Sequence, residues 1–167
     1  MEFEIDVSGE DVLNEGYTIV VADKNNIIRG FKFHRDLIQI LRARQGEGRY
    51  RYLNSKQGKS LFRVRVYCIA LYYLFRSIKH EYDLKNKEIN LKICKDFQGH
   101  EQNINSNLIP LLKNDLGLII NSPIYQKLSK ESNADKYAYL MRKDTKNQMK
   151  GYIDISLDEF EYYLKKK

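Results

Sequence analysis

Three short apolar segments at the start of the chain constrain its fold more than any other feature. In residues 2–8, apolar side chains alternate with acidic ones, which is the two-residue period of a half-buried strand. Residues 16–22 and 27–33 are rich in β-branched and aromatic side chains, and the polar residues 23–26 between them are typical of a turn. The pattern predicts three strands joined as an antiparallel meander.

Helical patterns alternate with single strands in the rest of the chain. A short helix is predicted at 34–44, an exposed loop at 45–60, and a long buried helix from Leu61 to Lys79 capped by Ser60. Further strands are predicted at 89–95, 116–120 and 152–155, and further helices at 99–113 (interrupted near Pro110), at 132–141, and after a capping box at 156–159. The first five strands and their helices predict an α/β fold with a mixed five-stranded sheet flanked by helices, and the strand at 152–155 belongs to a C-terminal extension.

Length and composition place the chain among folded proteins of one domain. Its 167 residues are 43% hydrophobic and 31% charged, which is enough apolar mass for a core. The longest apolar stretch, Val66–Phe75, is about half of a membrane span, and the acidic start does not resemble a secretory signal. Cys68 and Cys94 lie in apolar runs, as expected of reduced core thiols. We therefore expect a cytoplasmic protein with no membrane partner.

Positive charge is concentrated in one segment, residues 42–65. This segment contains eight basic residues and one acid, and two tyrosines alternate with its arginines. Because basic side chains pair with phosphates and tyrosine rings stack on bases, the segment predicts a nucleic-acid interface. A solvated basic loop and a contact with an acidic protein are the alternatives. The predicted nucleic-acid-binding residues are Arg42, Arg44, Arg49, Tyr50, Arg51, Tyr52, Lys56, Lys59, Arg63 and Arg65.

Three aspartates occupy positions from which their side chains can meet. Asp6 lies in the first predicted strand, Asp96 follows the fourth, and Asp135 lies at the start of a helix. Carboxylates from strand ends and a helix suit Mg²⁺ or Mn²⁺, which bind a few carboxylates with water and phosphate oxygens. We predict that these aspartates are the metal ligands and catalytic residues of phosphodiester chemistry. The simpler alternatives are that Asp6 is an exposed strand residue, that Asp96 is a turn residue, and that Asp135 interacts favourably with the helix dipole.

Together, the strand order and the aspartates resemble the ribonuclease H-like superfamily. The residues that carry the resemblance are Asp6-Val7-Ser8-Gly9 in the first strand, Asp96, and Asn133-Ala134-Asp135 in a late helix. The resemblance covers about residues 2–143. It implies a ribonuclease H-like domain at residues 1–145, followed by a C-terminal strand and helix extension at 146–167.

One position departs from this family. Its enzymes usually take a further metal ligand from a Glu in the first long helix, whereas residues 61–79 contain no acid. Glu47, Glu101 and Asp144 remain as candidates for a fourth ligand. His100, close to Asp96 in sequence, is either a surface histidine or a proton donor.

Three classes of function follow as expectations from these patterns. The first is a metal-dependent nuclease that hydrolyses phosphodiester bonds in RNA–DNA hybrid or structured nucleic acid. The alternative is a non-catalytic module that binds nucleic acid or ribonucleoprotein through residues 42–65. A protein adaptor that meets an acidic partner is a third class.

Overall fold

The computed structural model describes residues 1–97 and 99–165, and these residues form a mixed sheet with helices on both faces. The strands are β1 (Glu2–Ser8), β2 (Thr18–Ala22), β3 (Ile28–Lys32), β4 (Glu88–Ile93), β5 (Ile119–Ile120) and β6 (Ile124–Tyr125). The helices are α1 (Arg35–Gly46), α2 (Lys56–Glu81), α3 (Glu101–Pro110), α4 (Asn133–Lys143) and α5 (Leu157–Tyr162). The predicted α/β class with a mixed sheet is confirmed.

The sheet has the order β3-β2-β1-β4-β5, with β6 also paired to β4. The meander β1-β2-β3 is antiparallel as predicted, whereas β4 runs parallel to β1 and β5 runs parallel to β4. The fifth position is shared by β5 and β6, which pair with opposite ends of β4. Pro123 lies between these two short strands, and because proline has no amide hydrogen it interrupts the ladder. The predicted fifth strand at 116–120 is therefore shorter than expected and continues as β6.

The two faces of the sheet are covered by different helices. On one face, alternate residues of the strands pack against α2, and the rings of Phe3 and Phe75 meet edge to face with centroids 5.4 Å apart. On the other face, α4 crosses β1, β2 and β3. It approaches so closely that a side chain at Gly30 would collide with Met141. Both faces are therefore buried around the middle of the sheet.

Helix α2 begins earlier than the apolar pattern indicates. Ser55, and not Ser60, is its N-cap, and the Ser55 hydroxyl accepts a hydrogen bond from the Gly58 amide at 3.1 Å. Apart from the buried Gly58, the first turn is polar and exposed, so apolar periodicity starts only one turn later. The backbone of Leu53 folds back over this turn and occupies the space that a side chain at position 58 would need.

Replacing Gly58 by alanine is expected to lower the free energy of unfolding by about 2 kcal/mol. Alanine favours a helix by about 1 kcal/mol over glycine, but here its methyl group would collide with the Leu53 carbonyl oxygen, which is backbone and cannot rotate away. Urea unfolding of the two proteins measures the difference. Gly46→Ala is the matched control, because nothing lies near that position. An unchanged stability in Gly58→Ala would contradict the packing of residues 53–58.

The C-terminal segment packs into the body of the protein. The Gly30 amide donates to Gly151, the Ile153 amide donates to Gly30, and Tyr152 pairs with β3 as an isolated bridge. Helix α5 begins with the predicted capping box between Ser156 and Glu159. Phe160 and Leu164 are completely buried in the main core. The segment therefore contributes core residues as well as a short bridge at the sheet edge.

Among the residues that the structure describes, no helix combines the length and the apolar character needed to cross a bilayer. Cys68 and Cys94 are buried and unbridged, as the sequence predicts.

Candidate metal centre and adjoining clefts

The parallel pairing of β1 and β4 brings the first two acidic residues together. Ile5 is opposite Ile93 in the register, so the next residues, Asp6 and Cys94, lie side by side on the opposite face of the sheet. Asp96 follows in a 3₁₀ turn at Lys95–Phe97. One ligand atom each from Asp6, Cys94 and Asp96 can be chosen so that all lie within 4.8 Å of one another. The ends of β1 and β4 thus bring together a compact group of candidate metal ligands.

Helix α4 brings the third aspartate to the same place. Its N-cap is Ser132, as predicted, and the Ser132 hydroxyl accepts from the Asp135 amide at 3.4 Å. The Asp135 carboxyl lies close enough to Asp6 to interact with it directly. Because α4 covers this face, Asp6 is only 8% exposed, and its alternative interpretation as an exposed strand residue is wrong. The structure therefore places the three predicted aspartates in one region.

The pKa of Asp6 shows the electrostatic consequence of this arrangement. Burial raises the pKa from 3.8 to about 6. The Val7 amide, which donates to Asp6 Oδ1 at 2.8 Å, and the Cys94 thiol oppose the rise, whereas the neighbouring Asp135 carboxyl adds to it. The side chain of Asp96 reaches solvent, yet the protein atoms around it also raise its pKa. Burial is the largest cause of both shifts, so these two carboxylates are poorly solvated.

No ion pair formed by the described residues compensates this charge. Within residues 1–97 and 99–165, none of the three aspartates forms an ion pair with Lys or Arg. Mg²⁺ and Mn²⁺ bind through carboxylate oxygens and water, and Asp6 and Asp96 each bring a carboxylate oxygen into this group. Burial raises the pKa of the Cys94 thiol well above its usual range, so without a bound ion Cys94 is a neutral thiol that donates to Asp6. The carboxylates thus fit an oxygen-preferring ion such as Mg²⁺ or Mn²⁺.

A cleft of about 300 Å³ adjoins this group at Asp96. Glu10 and Asp11 from the connection between β1 and β2 line it, together with His100 and Arg63. Arg63 Nε lies 3.4 Å from Asp11 Oδ2. Glu10 and Asp11 are not among the predicted site residues, although both follow closely after the Asp6-Val7-Ser8-Gly9 motif. The cleft brings acidic and basic side chains to the edge of the aspartate group.

The candidates for a fourth metal ligand, Glu47, Glu101 and Asp144, lie in three different parts of the structure. Helix α2 has one acid, Glu81 at its last residue, which pairs with Arg29. Glu47 pairs with Arg49, and the Asp144 carboxylate accepts from the Tyr152 hydroxyl at 2.9 Å. Glu101 lies in the first turn of α3.

The predicted nucleic-acid-binding residues separate into an inward and an outward group. Tyr50 is buried, and its hydroxyl donates to Glu161 at 2.9 Å; Arg44 pairs with the same carboxylate. Arg65 donates to the Tyr163 carbonyl oxygen, and Tyr52 packs against a core ring. Arg63 is half-buried at the cleft, and the exposed members of the set are Arg42, Arg49, Arg51, Lys56 and Lys59.

Comparison of this chain with models of known protein families, with characterised proteins and with solved structures finds no match.

Proposed function

We propose that this protein is a ribonuclease H-like, metal-dependent nuclease that hydrolyses phosphodiester bonds in RNA–DNA hybrid or structured nucleic acid. The observation that carries the proposal is the placement of Asp6 and Asp96 at the ends of neighbouring parallel strands, with Asp135 beside Asp6 at a helix start. An antiparallel meander followed by parallel strands and intervening helices is the order on which the resemblance rests.

The residues around the proposed site have three different roles: they bind the metal, orient a ligand, or contact the substrate phosphates. Asp6, Asp96 and Asp135 would hold Mg²⁺ or Mn²⁺, and Cys94 and the Val7 amide orient Asp6 by donating to its carboxylate. A bound divalent cation supplies activation of the attacking water and stabilisation of the leaving oxygen. The outward basic residues hold the phosphates of the strand.

Cleavage of a labelled substrate panel tests the proposal. The panel contains RNA–DNA hybrid, duplex DNA, a four-way DNA junction and single strands, each incubated with Mg²⁺, Mn²⁺ or EDTA. We expect metal-dependent cutting of at least one structured substrate by the wild type, and a loss of about a thousandfold or more in Asp96→Asn. Asp96 is exposed at the end of β4, so its substitution by the isosteric amide leaves the fold intact.

The matched control is Asp36→Asn, which makes the same change at an exposed position in the first turn of α1. This variant should cut as the wild type does. Equal cutting by Asp96→Asn and Asp36→Asn would exclude the aspartate group as the catalytic site. If the protein binds the panel substrates but cleaves none of them with Mg²⁺ or Mn²⁺, the proposal of a nuclease is wrong.

The alternative is a non-catalytic nucleic-acid or ribonucleoprotein-binding module. It is favoured by one observation: the described residues of α2 place no acid near the aspartate group, since Glu81 ends the helix. Such a module would bind the panel through residues 42–65, and Asp96→Asn would leave its affinity unchanged or slightly higher.

A further inference from the structure

A cluster of tyrosine rings lies where the C-terminal helix α5 packs against α2. Tyr163 directly follows α5, and its ring centroid is 5.2 Å from that of Tyr72 and 6.2 Å from that of Tyr73. Tyr72 and Tyr73 are buried. Tyr162, by contrast, is 76% exposed, although its ring centroid is only 4.8 Å from that of Tyr163. The buried rings thus support one aromatic side chain that is open to solvent.

Two arginines converge on the backbone beside this exposed ring. Arg51 Nη2 donates to the Tyr163 carbonyl oxygen at 2.8 Å, and Arg65 Nε donates to the same oxygen at 3.2 Å. Because both hydrogen bonds end on one atom, the two guanidinium groups lie side by side. Burial is the main cause that lowers the pKa of Arg65, and the charge of Arg51 lowers it further, as expected of neighbouring cations.

The charge of these two arginines is not paired with a carboxylate of any described residue. Each guanidinium has five N–H groups, and no more than two on either residue donate to described residues. The acids beside this surface are Asp115, which accepts from the Tyr163 hydroxyl at 2.9 Å, and Asp158, one helical turn before Tyr162. The adjacent guanidinium groups therefore favour an anion that accepts from both, such as a phosphate.

We infer that this surface binds a single strand of nucleic acid, with a phosphate at Arg51 and Arg65 and a base stacked on Tyr162. The phosphate neutralises the two adjacent guanidinium groups. The exposed ring offers a flat apolar face to an unpaired base, and such a face is accessible in a single strand but covered by neighbouring base pairs in a duplex. A cationic pair beside an exposed ring thus matches the phosphate and base of one nucleotide.

This surface is distinct from the aspartate group. Arg65 follows Arg63 by two positions in α2, so their side chains leave the helix about 200° apart. Arg63 lines the cleft beside Asp96, and Arg65 therefore belongs to another side of the molecule. The inference does not depend on the nuclease, since the surface would hold a strand whether or not the aspartates cleave it.

The first test removes the bases of a strand and keeps its phosphates. The affinities for a labelled oligothymidylate and for an abasic strand of the same length are measured by fluorescence anisotropy in EDTA. We expect the wild type to bind the oligothymidylate about tenfold more tightly, and Tyr162→Ala to lose this preference without losing affinity for the abasic strand. Tyr139→Ala is the matched control, because Tyr139 is 58% exposed on α4, and it should keep the preference. An equal preference in the two variants would overturn the inference.

A single tryptophan gives a direct measurement of stacking, because the chain contains none. Tyr162→Trp should bind as the wild type does, and its tryptophan fluorescence should be quenched when oligothymidylate is added but not when the abasic strand is added. Tyr139→Trp should show little change with either strand. Absence of quenching in Tyr162→Trp, or equal quenching in the two variants, would contradict a base stacked at this position.

Arg51→Gln tests the phosphate contact. It should weaken binding of both strands by the same factor and reduce the salt dependence by about one phosphate contact. Arg142→Gln is its matched control, since Arg142 is exposed in the last turn of α4 and forms no ion pair with a described residue. If the two arginine variants bind equally well, the inference is wrong.

Two further outcomes identify the partner and separate the proposals. Displacement of the labelled strand by poly-glutamate as effectively as by unlabelled oligothymidylate would overturn the inference in favour of an acidic protein. A wild type that prefers the oligothymidylate but cuts nothing with Mg²⁺ or Mn²⁺ retains this surface and loses the nuclease. A wild type that cuts but binds the two strands equally retains the nuclease and loses this surface.

Discussion

Replacing Asp6 by asparagine is expected to abolish metal-dependent cleavage while making the metal-free protein more stable. Asp6 lies at the centre of the proposed site, beside Cys94, Asp96 and Asp135. If the ion supplies several kcal/mol of transition-state stabilisation, loss of a ligand costs about a thousandfold or more in rate. Cleavage of the preferred panel substrate with Mg²⁺ measures this loss.

The gain in stability follows from the raised pKa of Asp6. Between about pH 4 and 6 the folded protein holds a proton on Asp6 that the unfolded chain has released, so stability falls as the pH rises through this window. Above this window the loss of stability is complete. A rise of the Asp6 pKa from 3.8 to about 6 corresponds to a loss of roughly 3 kcal/mol in the free energy of unfolding. Asparagine carries no charge and avoids most of this cost. In EDTA at pH 7 the Tm of Asp6→Asn should be several degrees higher.

The pH dependence gives the internal control for Asp6→Asn. At pH 4 the wild-type carboxyl is largely protonated, so the difference in Tm between the two proteins should become small. Mg²⁺ should raise the Tm of the wild type at pH 7 more than that of the variant, because binding to the folded state stabilises it. Asp154→Asn, at an exposed position, should change neither activity nor Tm. A variant that cuts normally, or that is less stable in EDTA, would contradict this description of Asp6.

Local periodicity was sufficient to predict the elements that carry the aspartates. Alternation placed β1 and β4 within a few residues, and the serine caps of α4 and α5 were recognisable because capping depends on neighbours in sequence. The burial of Asp6 was not predictable in the same way. It depends on α4, which returns over the sheet more than a hundred residues later and approaches it closely because residue 30 is glycine.

The basic segment shows most clearly where sequence reasoning reaches its limit. Alternating Arg and Tyr at residues 49–52 is typical of a binding surface, yet Tyr50 is buried, with its ring stacked on Phe62 and its hydroxyl donating to Glu161. That partner lies 111 residues away and has no local signal in the sequence. The start of α2 was likewise misplaced, since its polar first turn is held by Ser55 and by the backbone of Leu53.

Replacing Arg44 by alanine is expected to lower the free energy of unfolding by about 3 kcal/mol. The Glu161 carboxylate is 3% exposed and pairs with Arg44, while Tyr50 donates to its other oxygen. Removing the guanidinium leaves a buried carboxylate with the Tyr50 hydroxyl and with Lys165, whose ammonium is 3.9 Å away. Breaking a buried pair from one side typically costs 3–5 kcal/mol, about ten degrees in Tm for a chain of this size.

Urea and thermal unfolding measure the effect of Arg44→Ala, and two variants determine its cause. Arg49→Ala makes the same change in the same segment, but its partner Glu47 is exposed, so less than about 1 kcal/mol should be lost. Adding Glu161→Gln to Arg44→Ala should recover part of the stability, because the remaining group is neutral. If Arg44→Ala and Arg49→Ala were equally stable and both weakened nucleic-acid binding, Arg44 would belong to the outward group. If only Arg44→Ala loses stability, Arg44 belongs to the core. The exposed basic residues of the segment then remain as the ones that contact nucleic acid.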